Sequence, residues 1–220
     1  MASIELLGLR ISVYTRIARL ALEEKKVDYE LREVDIFADT GPPAEYLECN
    51  PFGTIPCLKY GDFSLYETGA ICRYVDEMFL GMPLQPKEPA PRARMNQIIS
   101  VLDSYTYRPM VWDVYVQRIV VASSGGQADE ALIAAALPTL KTVLQQIDLW
   151  RGDSDFLVGD AITLADLYAY PMLRYFIETG EGSAMLESFP RLNEWLIHMQ
   201  TRASARATSF HWGDDSEDGF

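Results

Sequence analysis

The chain has 220 residues and a formal net charge of −13, from 19 basic and 32 acidic residues. A field of this sign repels a phosphate backbone, so a nucleic-acid partner is not expected. Apolar residues make up 49% of the sequence, which excludes a wholly disordered chain. The longest apolar run, residues 131–137, is too short to span a bilayer, and the N-terminus does not read as a signal peptide. We therefore expect a cytoplasmic protein without a membrane partner.

The cysteine and histidine content predicts no metal site. Cys49, Cys57 and Cys72 are odd in number and form no CxxC pair, and His198 and His211 are too few for a histidine-rich site. The sequence also has no phosphate-binding loop and no GxGxxG motif, so no nucleotide cofactor is expected.

The first 80 residues predict a small α/β domain. A mostly apolar strand at 4–7 precedes a helix over 14–26, and a strand of alternating polarity follows at 27–32. Gly61-Asp62 joins two further short strands as a hairpin, and a helix follows, so the predicted order is β-α-β, an irregular stretch, and β-β-α. The buried helical faces are marked by Ile17, Leu20 and Ala21 in the first helix and by Ile71, Tyr74, Val75 and Met78 in the second.

The rest of the chain predicts an all-helical domain. Glycine and three prolines within residues 81–89 indicate a linker, which separates a domain at 1–80 from one at 90–220. Pro109 is expected to interrupt and kink the helix in which it lies. The last ten residues carry four acidic residues and no lysine or arginine, and this acidic tail is expected to fray.

A helix start is predicted near residue 163. Thr163 and Asp166 have the spacing of a capping box, in which the hydroxyl and the carboxylate serve free amides of the first turn. Ile162 and Leu167 occupy the positions of a hydrophobic staple. We interpret this pattern as a folding signal and not as chemistry.

Five segments carry a resemblance to a known family. In chain order they are Ser12-Val13-Tyr14-Thr15-Arg16, Asn50-Pro51-Phe52-Gly53-Thr54-Ile55-Pro56, Tyr66-Glu67-Thr68-Gly69-Ala70-Ile71, Phe156-Leu157-Val158-Gly159-Asp160 and Phe189-Pro190-Arg191-Leu192. In this order and at this spacing, the chain resembles the cytosolic glutathione S-transferases, and within them the serine-type, phi-like group. The resemblance implies a thioredoxin-like N-terminal domain, an all-α C-terminal domain, a homodimer and a role in detoxification. It implies glutathione as a co-substrate and no other cofactor.

Ser12 is the predicted catalytic residue. The thiol of glutathione has a pKa near ~8.5, so an enzyme must stabilise its thiolate at neutral pH. The Ser12 hydroxyl lies where the first strand gives way to the first helix, and it can donate to the sulfur beside the positive helix end. The residues alone also fit a plain helix N-cap, and Tyr14 is a rival hydroxyl. The resemblance favours Ser12.

The resemblance also assigns the peptide part of glutathione. A cis Ile55-Pro56 bond would present the main chain of Ile55 to the cysteinyl backbone, as in strand addition, and a trans proline is the alternative. Glu67 would meet the γ-glutamyl amine, and Thr68, at a helix start, would meet its carboxylate. A plain N-cap pair is the alternative for these two residues.

One departure from the family concerns the glycine carboxylate of glutathione. Phi-like relatives usually carry basic residues in the segment that matches Gly41-Pro42-Pro43, and this chain has none there. The carboxylate is therefore left to Thr54, or to Arg10 or Arg16 from the first loop, or the peptide is held more weakly.

Two further sets of residues follow from the resemblance. Phe52 matches a position that inserts into the partner subunit in several classes of the family, and packing within its own domain is the alternative.

An apolar electrophile is expected to bind residues of the first loop and of the proline-containing helix. Aromatic and methionine side chains suit such a ligand, although they also form cores. The residues assigned to the electrophile are Leu9, Tyr14, Tyr105, Met110 and Trp112.

The main hypothesis is a transferase that adds the glutathione thiolate to an apolar electrophile. One alternative is a non-catalytic binding or interaction module of the same fold, which the missing basic segment favours slightly. Another is a glutathione-dependent dehalogenase, peroxidase, etherase or isomerase. The set of Ser12, Pro56 and Glu67-Thr68 favours an enzyme, but fold likeness does not choose between reactions.

Overall fold

The computed structural model describes residues 3–210, which divide into two compact units. The predicted α/β domain followed by an all-helical domain is confirmed. The predicted acidic tail and His211 lie outside the described residues. Within residues 3–210, no helix combines the length and the apolar character that crossing a membrane requires.

The first unit contains a four-stranded sheet in the order β2 (Glu30–Arg32), β1 (Ile4–Leu7), β3 (Cys57–Tyr60) and β4 (Phe63–Tyr66). Strand β1 is parallel to β2 and antiparallel to β3, and β3 and β4 form the predicted hairpin, with Gly61 at φ +61°. A four-residue helix, α2, was not predicted, because so short a helix shows no periodicity, and β2 is shorter than expected. The elements are β1 (Ile4–Leu7), α1 (Val13–Glu24), β2 (Glu30–Arg32), α2 (Ala44–Leu47), β3 (Cys57–Tyr60), β4 (Phe63–Tyr66) and α3 (Thr68–Met78).

Helices α1 and α3 pack against each other through the predicted apolar faces. Five of the seven residues that mark these faces have no exposed surface: Ile17, Leu20, Ala21, Ile71 and Val75. Tyr74 is half-buried, and Met78 is 51% exposed because it ends α3. The period-3.6 pattern therefore locates the buried face correctly except in the last turn.

A buried ion pair fixes the end of the first unit. The Lys25 ammonium donates to Asp76 Oδ1 at 3.1 Å, and the two side chains are 2% and 6% exposed. The same carboxylate oxygen accepts the Leu84 N–H at 2.8 Å. The predicted linker at 81–89 is therefore divided, because residues up to Leu84 belong to the first unit and the second begins at Gln85.

The predicted boundary of the C-terminal domain also needs correction. The short helix α9 (Ala203–Ala207) belongs to the first unit, so the second unit ends at Arg202. Arg19 in α1 donates through Nη2 to the Ala207 carbonyl at 2.9 Å, and Ser204 donates to Glu24. The sequence did not indicate that α9 contacts α1, because this packing depends on residues far apart in the chain.

The regular elements of the second unit are all helical in its described residues, apart from an isolated β-bridge between Phe156 and Gly159. Its elements are α4 (Pro89–Val101), two π-helical segments π1 (Leu102–Thr106) and π2 (Arg108–Val121), α5 (Glu130–Arg151), α6 (Leu164–Phe176), α7 (Gly180–Leu186) and α8 (Pro190–Gln200).

The π-helical segments show their wider turn in side-chain pairs five residues apart. Trp112 Nε1 donates to Tyr107 Oη at 3.1 Å, and Arg108 Nε donates to Asp113 Oδ1 at 2.8 Å. The prediction that Pro109 interrupts the helix is wrong, because Pro109 lies in the first turn of π2 and the helical backbone continues through it.

The predicted capping box is confirmed at the start of α6. Asp166 is completely buried and accepts the Thr163 N–H at 2.8 Å and the Thr163 hydroxyl at 2.9 Å. The carboxylate also accepts the Leu157 N–H at 2.8 Å and the Trp195 indole N–H at 2.9 Å. Asp166 therefore joins α6 to the segment before it and to α8, which is more than a helix start requires.

Candidate functional site

Ser12 caps the helix at whose start it was predicted to act. It has extended backbone angles (φ −67°, ψ 127°), and its hydroxyl oxygen accepts the Thr15 N–H at 3.3 Å. Because the oxygen accepts this bond, the hydroxyl proton remains available to a ligand. Within residues 3–210, the Ser12 hydroxyl donates to no acceptor. The N-cap interpretation is thus confirmed, and it is compatible with donation to a ligand, because one hydroxyl both accepts and donates.

The loop before Ser12 is held close to the helix by a glycine. A Cβ on Gly8 would lie 2.4 Å from the Thr15 hydroxyl oxygen, so a larger residue would push the strand end away from α1. The Ser12 N–H then closes a turn on the Leu9 carbonyl at 3.0 Å. These contacts place the half-buried Ser12 at the N-terminus of a 12-residue helix, where free amides create positive potential.

The two arginines considered for the glycine carboxylate are both engaged elsewhere. Arg16 is 1% exposed, so its guanidinium belongs to the interior of the protein. Arg10 is exposed but pairs with Glu33 at 2.8 Å. Of the residues named from the sequence, Thr54 is the one whose exposed position leaves it accessible to a carboxylate.

The loop 50–56 is clamped from two sides at the Thr54 carbonyl oxygen. Tyr46 Oη in α2 donates to this oxygen at 2.5 Å, and Asn50 Nδ2 donates to it at 2.6 Å. Asn50 Nδ2 also lies 3.1 Å from the Thr54 hydroxyl, and Asn50 Oδ1 accepts the Phe52 N–H at 3.1 Å. Tyr46 and Asn50 are each 1% exposed, so the clamp is shielded from water.

Sequence reasoning did not assign either clamp residue a role. The Asn50-Pro51 turn signal was available for Asn50. Nothing in the local pattern marked Tyr46, because its partner lies eight residues further along and the helix that carries it was not predicted. Burial raises the pKa of the Tyr46 phenol well above its usual value, which keeps it protonated as the donor.

The loop ends in the predicted cis Ile55-Pro56 bond, which is confirmed. Ile55 is half-buried and precedes β3. Within residues 3–210, neither the N–H nor the carbonyl of Ile55 makes a hydrogen bond. Its main-chain groups are therefore available to an added peptide strand.

Glu67 and Thr68 occupy the start of α3. Glu67 is the N-cap residue, but its exposed side chain makes no capping hydrogen bond. Its backbone is left-handed (φ +69°, ψ 110°), a conformation that costs free energy for a residue other than glycine and recurs at ligand sites. Thr68 is 7% exposed and opens the 11-residue helix. The plain N-cap alternative therefore does not fit Glu67.

A cavity of about 730 Å³ lies beside the Gly41-Pro42-Pro43 segment and α2. Arg32 and Lys59 line it, so cations do occur near this segment, contributed by the sheet. Three acidic residues also line it, and Arg32 pairs with Glu5 at 3.0 Å. This balance of charge does not favour a carboxylate, and neither Ser12 nor Glu67 borders the cavity. We do not assign it to glutathione.

The residues predicted to bind the electrophile differ widely in exposure. In the first unit, Leu9 is 6% exposed and Tyr14 is half-buried. In the second unit, Tyr105 is 59% exposed and Trp112 is half-buried. Met110 has no exposed surface, so its predicted place at the electrophile is corrected: the side chain lies in the core of the second unit.

Comparison with known proteins identifies the family of this chain. Residues 11–78 match the family model for the glutathione S-transferase N-terminal domain, and residues 92–203 match that for the C-terminal domain. Glutathione S-transferase F13 of Arabidopsis thaliana is 29% identical over 195 residues, which cover 88% of this chain and 89% of the relative. Glutathione S-transferase F14 of the same plant is 30% identical over 84% of this chain and 74% of the relative.

A solved structure shows the same fold. Glutathione S-transferase I from maize, in complex with an atrazine glutathione conjugate, superposes with a TM-score of 0.82 at 27% identity, over 94% of this chain and 96% of that chain. The predicted thioredoxin-like and helical architecture and the phi-like resemblance are confirmed, since the relatives are of the F (phi) type. The chain belongs to the glutathione S-transferase family.

Proposed function

We propose that this enzyme binds glutathione beside the N-terminus of α1, stabilises its thiolate with the Ser12 hydroxyl, and adds the sulfur to an apolar electrophile. The observation that carries this proposal is the geometry of Ser12: the oxygen is fixed by the Thr15 amide, and the proton is left to donate. Accepting a hydrogen bond polarises a hydroxyl and strengthens its own donation.

The magnitudes are sufficient for this role. A hydrogen bond to a charged group contributes roughly 1.5–3 kcal/mol, and a helix N-terminus adds about 0.3–1 kcal/mol. One pKa unit corresponds to about 1.4 kcal/mol. The two effects together lower the pKa of the bound thiol by roughly one to three units, which brings it to neutral pH or below. No metal or redox cofactor takes part in this step.

The peptide part of glutathione is assigned to the clamped loop and to α3. Ile55 offers its N–H and carbonyl to the cysteinyl backbone, and Pro56 ends the strand-like segment. Thr68 and the α3 N-terminus take the γ-glutamyl carboxylate, and the Glu67 carboxylate takes the amine. The Thr54 hydroxyl accepts from Asn50, so its proton is directed to the glycine carboxylate.

For the electrophile we retain Tyr105, Trp112, Tyr14 and Leu9, and we exclude Met110. The exposed Tyr105 ring offers apolar surface with a polar tip, and the Trp112 indole is held in place by Tyr107. The maize enzyme holds a conjugate of an aromatic compound, which supports the same substrate class here. A role in detoxification and a cytoplasmic location follow as predictions from this substrate class and from the family.

A homodimer is part of the proposal, and Phe52 supports it. The Phe52 ring meets Tyr66 edge-on with centroids 5.8 Å apart, yet its side chain remains 71% exposed. A large aromatic side chain held rigidly at the surface is a typical interface anchor. Sedimentation analysis tests this assignment, with a dimer expected for the wild type and a monomer for Phe52→Ser.

The non-catalytic module remains the second candidate, because Gly41-Pro42-Pro43 supplies no cation for the glycine carboxylate. The other glutathione-dependent reactions have no specific observation in their favour. Ser12→Ala tests the role of Ser12 when conjugation and the ultraviolet absorbance of the bound thiolate are measured, and retention of the wild type on immobilised glutathione separates the two candidates. We expect conjugation and absorbance to fall together by more than tenfold. Unchanged conjugation would remove the role of Ser12, and a wild type that is not retained on immobilised glutathione would favour the module.

A further inference from the structure

Two of the three cysteines lie at the two ends of the clamped loop. Cys49 and Cys57 flank residues 50–56, and both belong to one buried apolar cluster with Leu7 and Tyr46. The Cys57 thiol donates to the Cys49 carbonyl oxygen at 3.8 Å. Both cysteines are free thiols, and the proposed conjugation uses neither of them.

The two thiols also interact with each other. The pKa of Cys57 is raised to about 11, first by burial and then by the charge of Cys49. The contact of the Cys57 sulfur with the Cys49 main chain, and the place of both residues in one buried cluster, put the two side chains close together. Cys57 has no exposed surface, whereas Cys49 is 8% exposed. Cys49 is therefore the more accessible of the two residues.

Lys59 supplies a proton donor next to this pair. Lys59 follows Cys57 by two residues in β3, so the two side chains lie on the same face of the strand, and the interaction with Cys49 raises the pKa of the Lys59 ammonium. Lys59 also lines the cavity beside α2, so it contacts solvent on its other side. A protonated amine at this position can protonate a leaving oxygen when the sulfur attacks a peroxide.

We propose that Cys49 and Cys57 form an oxidant-sensitive dithiol, in which hydrogen peroxide converts the two thiols into an internal disulfide that weakens glutathione binding by the loop between them. The Cys49 sulfur attacks one peroxide oxygen, the O–O bond breaks, and hydroxide leaves as water. Its proton comes from Lys59, which regains one from the Cys49 thiol. This step leaves a sulfenic acid on Cys49.

The second step joins the two cysteines. The Cys57 sulfur attacks the sulfenic sulfur, the S–O bond breaks, and the hydroxyl leaves with the Cys57 thiol proton as water. In total, two thiols are oxidised to one disulfide and one hydrogen peroxide is reduced to two waters.

The effect on glutathione rests on the proposed function of the loop. Asn50, which clamps Thr54, follows Cys49 directly, and the Ile55 side chain packs on the thiol cluster. A covalent S–S bond brings the sulfurs closer than two thiols in contact. Either Asn50 or Ile55 must then shift, and we expect the Kd for glutathione to rise roughly tenfold, a change of about 1.4 kcal/mol.

The experiment uses the full chain treated with hydrogen peroxide and then freed of the oxidant. We expect a loss of two of three titratable thiols, the mass decrease of two hydrogens, and a Cys49–Cys57 cross-linked peptide. Cys72→Ser is the matched control, because Cys72 is also buried but lies in α3, where its thiol donates to the Ile17 carbonyl. This variant should form the same disulfide. Three remaining thiols, or a disulfide that involves Cys72, would overturn the proposal.

Cys57→Ser separates the two steps. We expect no disulfide and a Cys49 sulfenic acid that dimedone traps. If this variant does not fold, the peptide map of the oxidised wild type decides alone. Glutathione Kd is measured before oxidation, after it and after dithiothreitol. An unchanged Kd with a complete disulfide would overturn the effect on binding. A reduced protein that does not bind glutathione would instead contradict the proposed function, while the thiol map still tests the dithiol.

Discussion

The hydroxyl of Tyr46 in α2 donates a hydrogen bond to the carbonyl oxygen of Thr54, which lies eight residues away in the loop that precedes β3. Asn50 donates to the same oxygen, so both acceptor positions of this carbonyl are filled by buried donors. The next residue is Ile55, whose main chain is proposed to bind the cysteinyl backbone of glutathione. In this chain α2 therefore contributes to the site through a hydroxyl that positions the loop, and not through a basic side chain.

Tyr46→Phe should weaken glutathione binding more than it weakens the fold. The substitution removes one oxygen and keeps the ring, and a lost neutral hydrogen bond costs about 0.5–1.5 kcal/mol. We expect KM for glutathione to rise roughly two- to tenfold, with kcat nearly unchanged, because the loop is displaced but the thiolate is stabilised by Ser12. Steady-state kinetics with glutathione as the varied substrate measures this.

Tyr29→Phe is the matched control for Tyr46→Phe. Tyr29 also makes a half-buried hydroxyl contact in the first unit, with Glu23 at 3.2 Å and Arg19 at 3.1 Å, but it is distant in sequence from the clamped loop. We expect an unchanged KM. Equal rises in KM in both variants would mean that Tyr46 supports the fold in general and does not position the loop.

The pH at which conjugation reaches its full rate should depend on the Ser12 hydroxyl. If Ser12 and the helix lower the pKa of bound glutathione, the rate rises with pH through that lowered pKa and levels off above it. Ser12→Gly removes the hydroxyl, while glycine is tolerated at an N-cap at a cost of a few tenths of a kcal/mol. We expect the rising limb of kcat/KM to move up by roughly one to two pH units, towards the value of ~8.5 for a free thiol.

Ser12→Thr is the control for this shift, because it keeps a hydroxyl at the N-cap. Its rising limb should stay close to that of the wild type. If the pH profile of Ser12→Gly is the same as that of the wild type, a group other than Ser12 stabilises the thiolate. Tyr14→Phe then becomes the decisive variant, since Tyr14 is the rival hydroxyl in the first turn of α1.

The features that the sequence predicted depend on residues close together in the chain, whereas the features that it missed depend on residues far apart in the chain. The α1 face, the hairpin at Gly61 and the capping box at Thr163 are local patterns, in which residues within four positions of each other set the structure, and each was predicted correctly. The Tyr46–Thr54 bond and the return of α9 to α1 join residues that no periodicity relates. The burial of Met110 was missed because it was assigned from its residue type and the resemblance, which do not determine which side chains of a helix are buried.

Thr54→Val tests how the glycine carboxylate is held. The Thr54 main-chain carbonyl and its clamp remain, and only the hydroxyl is lost. We expect KM for glutathione to rise roughly three- to tenfold, as for a hydrogen bond to a charged group in a partly exposed position. The rise should disappear when glutathione esterified at its glycine carboxylate is the substrate. Thr54→Ser should behave as the wild type, whereas an equal loss with glutathione and its ester would place the effect elsewhere in the peptide.

Asp166→Ala should destabilise the second unit strongly while leaving the glutathione site intact. The completely buried carboxylate accepts four hydrogen bonds, from two main-chain amides, one hydroxyl and one indole. Burial raises the pKa of this carboxyl, and the four hydrogen bonds oppose the rise. Removal leaves four buried donors without an acceptor, so we expect a loss of roughly 3–5 kcal/mol in the free energy of unfolding by urea.

Asp129→Ala is the control for that loss of stability, because it removes an ordinary N-cap. Asp129 is the N-cap of α5 and accepts the Leu132 N–H at 3.0 Å at an exposed position, so its removal should cost about 1 kcal/mol. If Asp166→Ala costs no more than Asp129→Ala, Asp166 is an ordinary cap. A larger loss, together with an unchanged glutathione Kd for the folded variant at low temperature, identifies Asp166 as the group that joins α6 to α8 and to the segment that begins at Phe156.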